Sequence, residues 1–258
     1  MRELLAYPSS EEFTQGSIFE GLKVNQDHAY AIVITARCDI ANGKARNILC
    51  LPIYKAEDWI KNQGDEVIFR RVESKLENKI KSEFSKFKIS FDLLSTYPVQ
   101  NIKDVIEDNK GNKCTQSINK LLDMYSNTTC DYSLDFVLNE RKSLVTSIIR
   151  NTEASIYFLE QVELDRVLEP YVIDLADPIS IPFFIANKLL LGINKKSEDS
   201  TINQYLTVYK DEISYISELK SPYVEHVLQK FSSFYSRIGT EDIEKDASDI
   251  LKDKLNEI

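Results

Sequence analysis

Through the first third of the chain the hydrophobic residues alternate or gather in short β-branched runs. Through the middle and the end they recur at helical spacing. Gly16-Ser-Ile-Phe-Glu-Gly-Leu22 alternates weakly between bounding glycines, and Tyr30-Ala-Ile-Val-Ile-Thr35 is the compact run of a strand buried on both faces. Asn42-Gly43 predicts a tight turn, after which Asn47-Ile-Leu-Cys-Leu-Pro-Ile-Tyr54 supplies a second buried strand. Pro52 within it argues for a sheet edge or an exit from the sheet.

At Ala56 the period changes. Residues 56–63 predict a short helix with Glu57 and Asp58 in its first turn, where the helix dipole favours anions. Leu76, Ile80, Phe84 and Phe87 form a helix-spaced stripe within 72–91. Residues 96–111 are polar and turn-rich, and predict a loop. Residues 116–125 and 133–150 predict two more helices, the second capped by Ser133. Strand character returns at Ser155–Leu159 and at Tyr171–Leu175, and residues 194–203 have the composition of a linker. Beyond it the pattern predicts helix to the end, with a long amphipathic helix opened by Ser221-Pro222 and closed before Gly239. The order predicts an α+β fold. An N-terminal small β-barrel occupies 1–192 with a helical insertion over about 56–150, and a helical C-terminal region, 193–258, packs on it.

Charge and cysteine spacing narrow the chemistry. Across 258 residues, 32 Lys+Arg stand against 41 Asp+Glu, a net charge of −9, which excludes a broad nucleic-acid binder. Cys38, Cys50, Cys114 and Cys130 lack zinc-site spacing and His28 and His226 are far apart, so no metal and no cofactor is expected. The first residues carry a charge pair and Pro8 where a signal peptide needs an apolar run, and no stretch approaches a membrane span. A cytoplasmic protein with reduced thiols and no membrane partner is expected. Phosphate-cradling glycine loops and nucleophile elbows do not occur, and no catalytic residue is assigned.

Two groups of residues remain as candidates. Arg37, Lys44 and Arg46 leave the end of a buried strand together, a cationic patch for an anionic ligand or RNA with Asp39 as an orienting carboxylate. The plainer alternative has Asp39 bracing the turn and Arg37 in a surface ion pair. On the last helix, His226, Lys230 and Arg237 lie along a polar edge suited to docking a partner, though such a helix also serves simply to close a core.

The order Gly16-x-Ile18, Ala31-Ile-Val-Ile-Thr35 and Leu49-Cys-Leu-Pro-Ile53 resembles the opening of the MazF/PemK toxin family, small β-barrels that cleave RNA. Where that family carries Arg-Pro this chain has Ala29-Tyr30, and where it carries Thr or Ser this chain has Tyr54. Such cleavage needs a cation for the developing phosphorane charge and a group to manage the 2′-oxygen proton. The resemblance therefore implies the barrel without its nuclease centre, the alternative being a divergent endoribonuclease using Arg37, Asp39 and Arg46. Thr35-x-x-Cys-Asp-Ile40, with Ser221-Pro-Tyr-x-Glu-His-x-x-Gln-x-Phe231 and Arg237-Ile-Gly239, resembles bacterial proteins of phage-defence and conflict islands. That resemblance implies a protein-binding or sensing subunit of an anti-phage system, acting through the product of a neighbouring gene. A regulator binding a small anionic ligand is the third reading.

Overall fold

Apolar side chains on both faces of the strands, in register, build the sheet. The computed structural model describes residues 3–8, 12–110, 116–164, 168–196 and 199–236. The chain runs through β1 (Leu5–Ala6), β2 (Ser17–Val24), β3 (Asp27–Val33), a short helix α1 (Arg37–Ala41) and β4 (Asn47–Lys55). A helical insertion follows: α2 (Ala56–Trp59), a π-helical turn (Ile60–Gly64), α3 (Asp65–Phe87), α4 (Leu93–Thr96), α5 (Val99–Lys110), α6 (Gln116–Asn127) and α7 (Asp135–Ile149). Then come β5 (Ile156–Leu159), β6 (Tyr171–Asp174), β7 (Ile179–Pro182), α8 (Phe183–Lys188), β8 (Ile193–Asn194), α9 (Ile202–Tyr205), β9 (Glu212–Ile213), β10 (Tyr215–Leu219) and α10 (Tyr223–Tyr235).

Eight of these strands form one antiparallel sheet in the order β1-β10-β2-β3-β4-β6-β5, with β7 also pairing β4. The sheet curls into a half-barrel, so the expected α+β class holds and the expected closed barrel is met in part. Ile18 pairs with Ile32 and Ile32 with Leu51, and all three enter one core with Ile53 and Ile173. Their neighbours Phe19, Ala31, Val33 and Cys50 enter a second core on the other face. A period of two thus serves two cores, which is why these strands read as continuous apolar runs although the sheet is antiparallel.

The insertion has its own core. Val72, Leu76, Ile80 and Phe84 of α3 pack with Leu121 and Leu122 of α6, Val137 and Leu144 of α7, and Ile156 and Val172 at the sheet margin. Residues 99–110, expected as loop, are helical, because Ile102 and Ile106 bury one thin apolar stripe in this core. A helix needs no more than that stripe.

Three further expectations are corrected. The C-terminal region is not wholly helical: β10 pairs with β2 and β1, and buries Tyr215, Ser217 and Leu219 at strict alternation. Its polar members masked the pattern, and buried Ser217 donates to the Val162 carbonyl at 2.5 Å. Ser133 does not cap α7, and Ser221 does not cap α10; neither helix has a side-chain cap. Pro52 lies inside a central strand. The expected helix end at Gly239 lies outside the described residues.

Phe84 is fully buried at the centre of the insertion core. Phe84→Ala is expected to lower unfolding free energy by about 3–5 kcal/mol, measured as a shifted urea midpoint; a loss under about 1 kcal/mol contradicts this packing.

Candidate functional site

β2 and β3 turn through a two-residue loop, Asn25-Gln26, with Asn25 in the left-handed region (φ 54°). Just before the turn, β2 carries a bulge at Gly21, whose φ of +79° suits glycine. A Cβ there would lie 2.7 Å from Ile213 Cδ1 and 2.8 Å from the Thr207 carbonyl oxygen. The bare backbone lets residues 206–213 close onto β2, where Thr207 N–H donates to the Gly21 carbonyl at 2.8 Å. That approach sets Tyr209 and Lys210 over Glu20.

Glu20 is the central group. Only 2 % of the residue is exposed, and Oε1 accepts from Lys210 Nζ at 2.5 Å and from the Tyr209 hydroxyl at 3.0 Å. Its Oε2 is buried and has no hydrogen-bond partner. A buried carboxylate needs such compensation, and each unmet lone pair is costly. Burial, then the Glu20 charge, pushes the Tyr209 phenol well above its ordinary range. The Tyr209 ring stacks on His28, with centroids 3.9 Å apart and planes at 17°. His28 Nδ1 lies 3.2 Å from Asp27 Oδ1.

These groups form one side of a cavity of about 800 Å³. The other side comes from the end of β4 and the start of the insertion: Ile53, Tyr54, Lys55, Asp58, Trp59, Asn62 and Gln63, with Tyr30 of β3 between. The π-helical turn carries Asn62 and Gln63 to the rim; such turns are rare and cluster at functional sites. The Tyr30 hydroxyl donates to Glu163 Oε1 at 3.2 Å, and Lys55 is paired with Glu169 at 2.6 Å. Burial, then the charges of Asp174, Asp177 and Asp27, raise the Tyr54 phenol far above its usual value. Negative potential therefore reaches the cavity from several sides. A cavity of this size, with aromatic walls and a few convergent polar groups, accommodates a small molecule or a single large side chain.

None of the residues expected from sequence lines this cavity. Arg37, Lys44 and Arg46 are exposed on and after α1, and none makes an ion pair among the described residues. Arg37 lies near enough to Glu218 to oppose the rise that burial imposes on that carboxyl. Asp39 braces the turn through its backbone, its carbonyl accepting from Lys44 and Ala45 N–H. His226 is exposed. Lys230 is turned inward, donating to the carbonyls of Asn151 at 2.9 Å and Ile156 at 2.6 Å, and burial lowers its ammonium to about 8. It fastens α10 to the start of β5. Arg237 lies outside the described residues.

No protein family, curated protein or solved structure matches this chain. The site is therefore read from its own chemistry. Among the described residues no group of three or more His, Cys, Asp or Glu is arranged to hold a metal ion, and no helix is long and apolar enough to cross a membrane. Sequence reasoning missed Glu20, Tyr54, Trp59, Tyr209 and Lys210. One signal was present: Glu20 is the single acid in an otherwise apolar strand segment.

Asp174 lies behind Tyr54 and Trp59. Burial raises its carboxyl above the ordinary range. The Ala176 N–H opposes the rise at 2.8 Å, and so does the Trp59 indole, which approaches without completing a hydrogen bond. A carboxyl raised on folding contributes stability that is complete below its unfolded pKa and is lost as pH rises through the folded value. Asp174→Asn is expected to flatten the decline in unfolding free energy that begins near about pH 4, followed by urea melts at stepped pH; a slope equal to wild type contradicts it.

Proposed function

We propose that this chain is a non-catalytic binding or sensing subunit, and that the cavity between the β2–β3 hairpin and the π-helical turn is its recognition site. One observation carries the reading. Ala29, Tyr30 and Tyr54, which stand where the MazF/PemK resemblance assigns a nuclease centre, line the cavity beside the buried Glu20. At those positions the chain supplies aromatic walls and a carboxylate where RNA cleavage needs a free cation. Both lysines of the cavity are already ion-paired. In this reading the half-barrel keeps the family's concave site and changes its use from cleaving to recognising. The wider role follows the second resemblance: a component of a bacterial anti-phage system, passing occupancy of the cavity to a protein partner encoded nearby.

A divergent endoribonuclease and an anion-binding regulator are the alternatives. The first draws on Arg37, Asp39 and Arg46 and the second on the loop from Arg37 to Arg46, none of which lines the cavity.

Two measurements test the reading. In a thermal-shift panel of amines, amino acids, nucleosides and sugars at millimolar concentration, at least one member is expected to raise Tm by about 2–6 °C, as binding to the folded state must. Tyr54→Ala is expected to abolish that rise, and a panel in which nothing shifts wild type contradicts the site. Labelled RNA, with and without Mg²⁺, is expected to stay intact; cleavage that disappears in Arg37→Ala and Arg46→Ala establishes the nuclease instead.

A further inference from the structure

The charged groups that line the cavity favour a positively charged ligand. Three carboxylates line it, Glu20, Asp27 and Asp58, against two lysines. Lys210 is held by Glu20 and Lys55 by Glu169, which leaves no unpaired lysine or arginine among the described residues that line it to receive an anion. Glu20 Oε2 is buried with its acceptor capacity unused. Around the rim, the side-chain amides of Asn25, Gln26, Asn62 and Gln63 make no hydrogen bond among the described residues, so their four carbonyl oxygens, beside their own N–H groups, stand ready to accept. Four aromatic residues line it: Tyr30, Tyr54, Trp59 and Tyr209. Burial first, and then nearby carboxylates, raise the Tyr54 and Tyr209 phenols, and those carboxylates supply negative potential to the cavity.

We propose that the cavity recognises a guanidinium group, stacked against the tyrosine and tryptophan rings, drawn by the charges of Glu20, Asp27 and Asp58, and donating to the rim acceptors. This deepens the recognition-site reading and rests on it. Geometry separates a guanidinium from the other cations. It is planar, presents five N–H donors in a fixed plane, stacks on aromatic faces and is weakly hydrated, so it enters a partly dry cavity at lower cost than an ammonium. An ammonium also sits over an aromatic face, but it is a compact, strongly hydrated point charge without a plane to stack, so it enters the cavity at higher cost. A nucleotide phosphate would face the carboxylates with no free lysine or arginine among the described lining residues to meet it. The group has two sources, a free guanidino compound or an arginine side chain of a partner protein, and the chemistry is the same for both.

Isothermal titration calorimetry of the full chain decides it. Agmatine is expected to bind, and 1,4-diaminobutane, guanosine and AMP to bind at least about tenfold more weakly or not at all. Glu20→Gln keeps the shape and removes the charge, and is expected to weaken agmatine by roughly ten- to hundredfold. Because Glu20 also holds Lys210, a second variant guards against misfolding. Asp58→Asn is exposed on α2, and is expected to weaken agmatine a few-fold and to reduce its salt dependence. Agmatine affinity unchanged in Asp58→Asn and insensitive to salt overturns the inference, as does guanosine or AMP binding as tightly as agmatine. In those cases a Tyr54-dependent ligand still upholds the recognition site, whereas a panel with no ligand at all overturns both. An Arg-Gly-Arg peptide binding more tightly than agmatine assigns the guanidinium to a partner protein; the reverse order assigns it to a free metabolite.

Discussion

The architecture depends on how β4 divides its hydrogen bonds. Along one side it pairs with β3. Along the other it pairs with β7 from Asn47 to Cys50, and then with β6 from Ile53 to Lys55. Leu51 and Pro52 fall between those partners. Proline has no N–H to donate, so it is tolerated in a central strand only where the ladder is already interrupted. Pro52 occupies that interruption. The break lets β6 and β5 diverge from β7, and with that divergence the sheet curls. It also frees the end of β4 to enter the helical insertion directly, with no loop between Lys55 and Ala56.

The cavity follows from that geometry. β4 brings Tyr54 and Lys55 to the point where strand becomes helix, and the β2–β3 hairpin brings Glu20 and His28 to the same level. The Gly21 bulge then admits the 206–213 segment, whose Lys210 neutralises the buried acid. An isolated carboxylate at that depth would destabilise the fold, so the pair has to be assembled as a unit. Its two members stand 190 residues apart in the chain. The same groups that make the site electronegative are therefore those that make it foldable, and they join the first strand hairpin to the region after the linker.

That separation explains what sequence reading reaches and what it does not. The strands from Gly16 to Tyr54, the α3 stripe and the span of the insertion are legible because each is set by a local period. The helix over 99–110 is not, because Ile102 and Ile106 alone carry its apolar face. β10 is not, because Ser217 is buried by a hydrogen bond that only the tertiary fold supplies. The site is less legible still. Arg37, Lys44 and Arg46 attract attention because they cluster in sequence, whereas Glu20, Tyr54, Trp59 and Lys210 cluster only in space. Lys230 shows the converse. A lysine on a helix flank reads as a surface contact, yet its ammonium is spent on the backbone carbonyls of Asn151, just after α7, and of Ile156, at the start of β5.

The π-helical turn has a consequence for how this protein can change. Helix runs unbroken from Ala56 to Phe87, and the turn at Ile60–Gly64 is its one local widening. Deleting a single residue there would return the segment to ordinary helical winding, and because the wider turn absorbs one extra residue, the phase of α3 would be almost unchanged. Leu76, Ile80 and Phe84 would keep their core, while the widening that carries Asn62 and Gln63 would be lost. The widened turn is thus a place where the rim of the cavity can lengthen or shorten by one residue without disturbing the packing of the insertion.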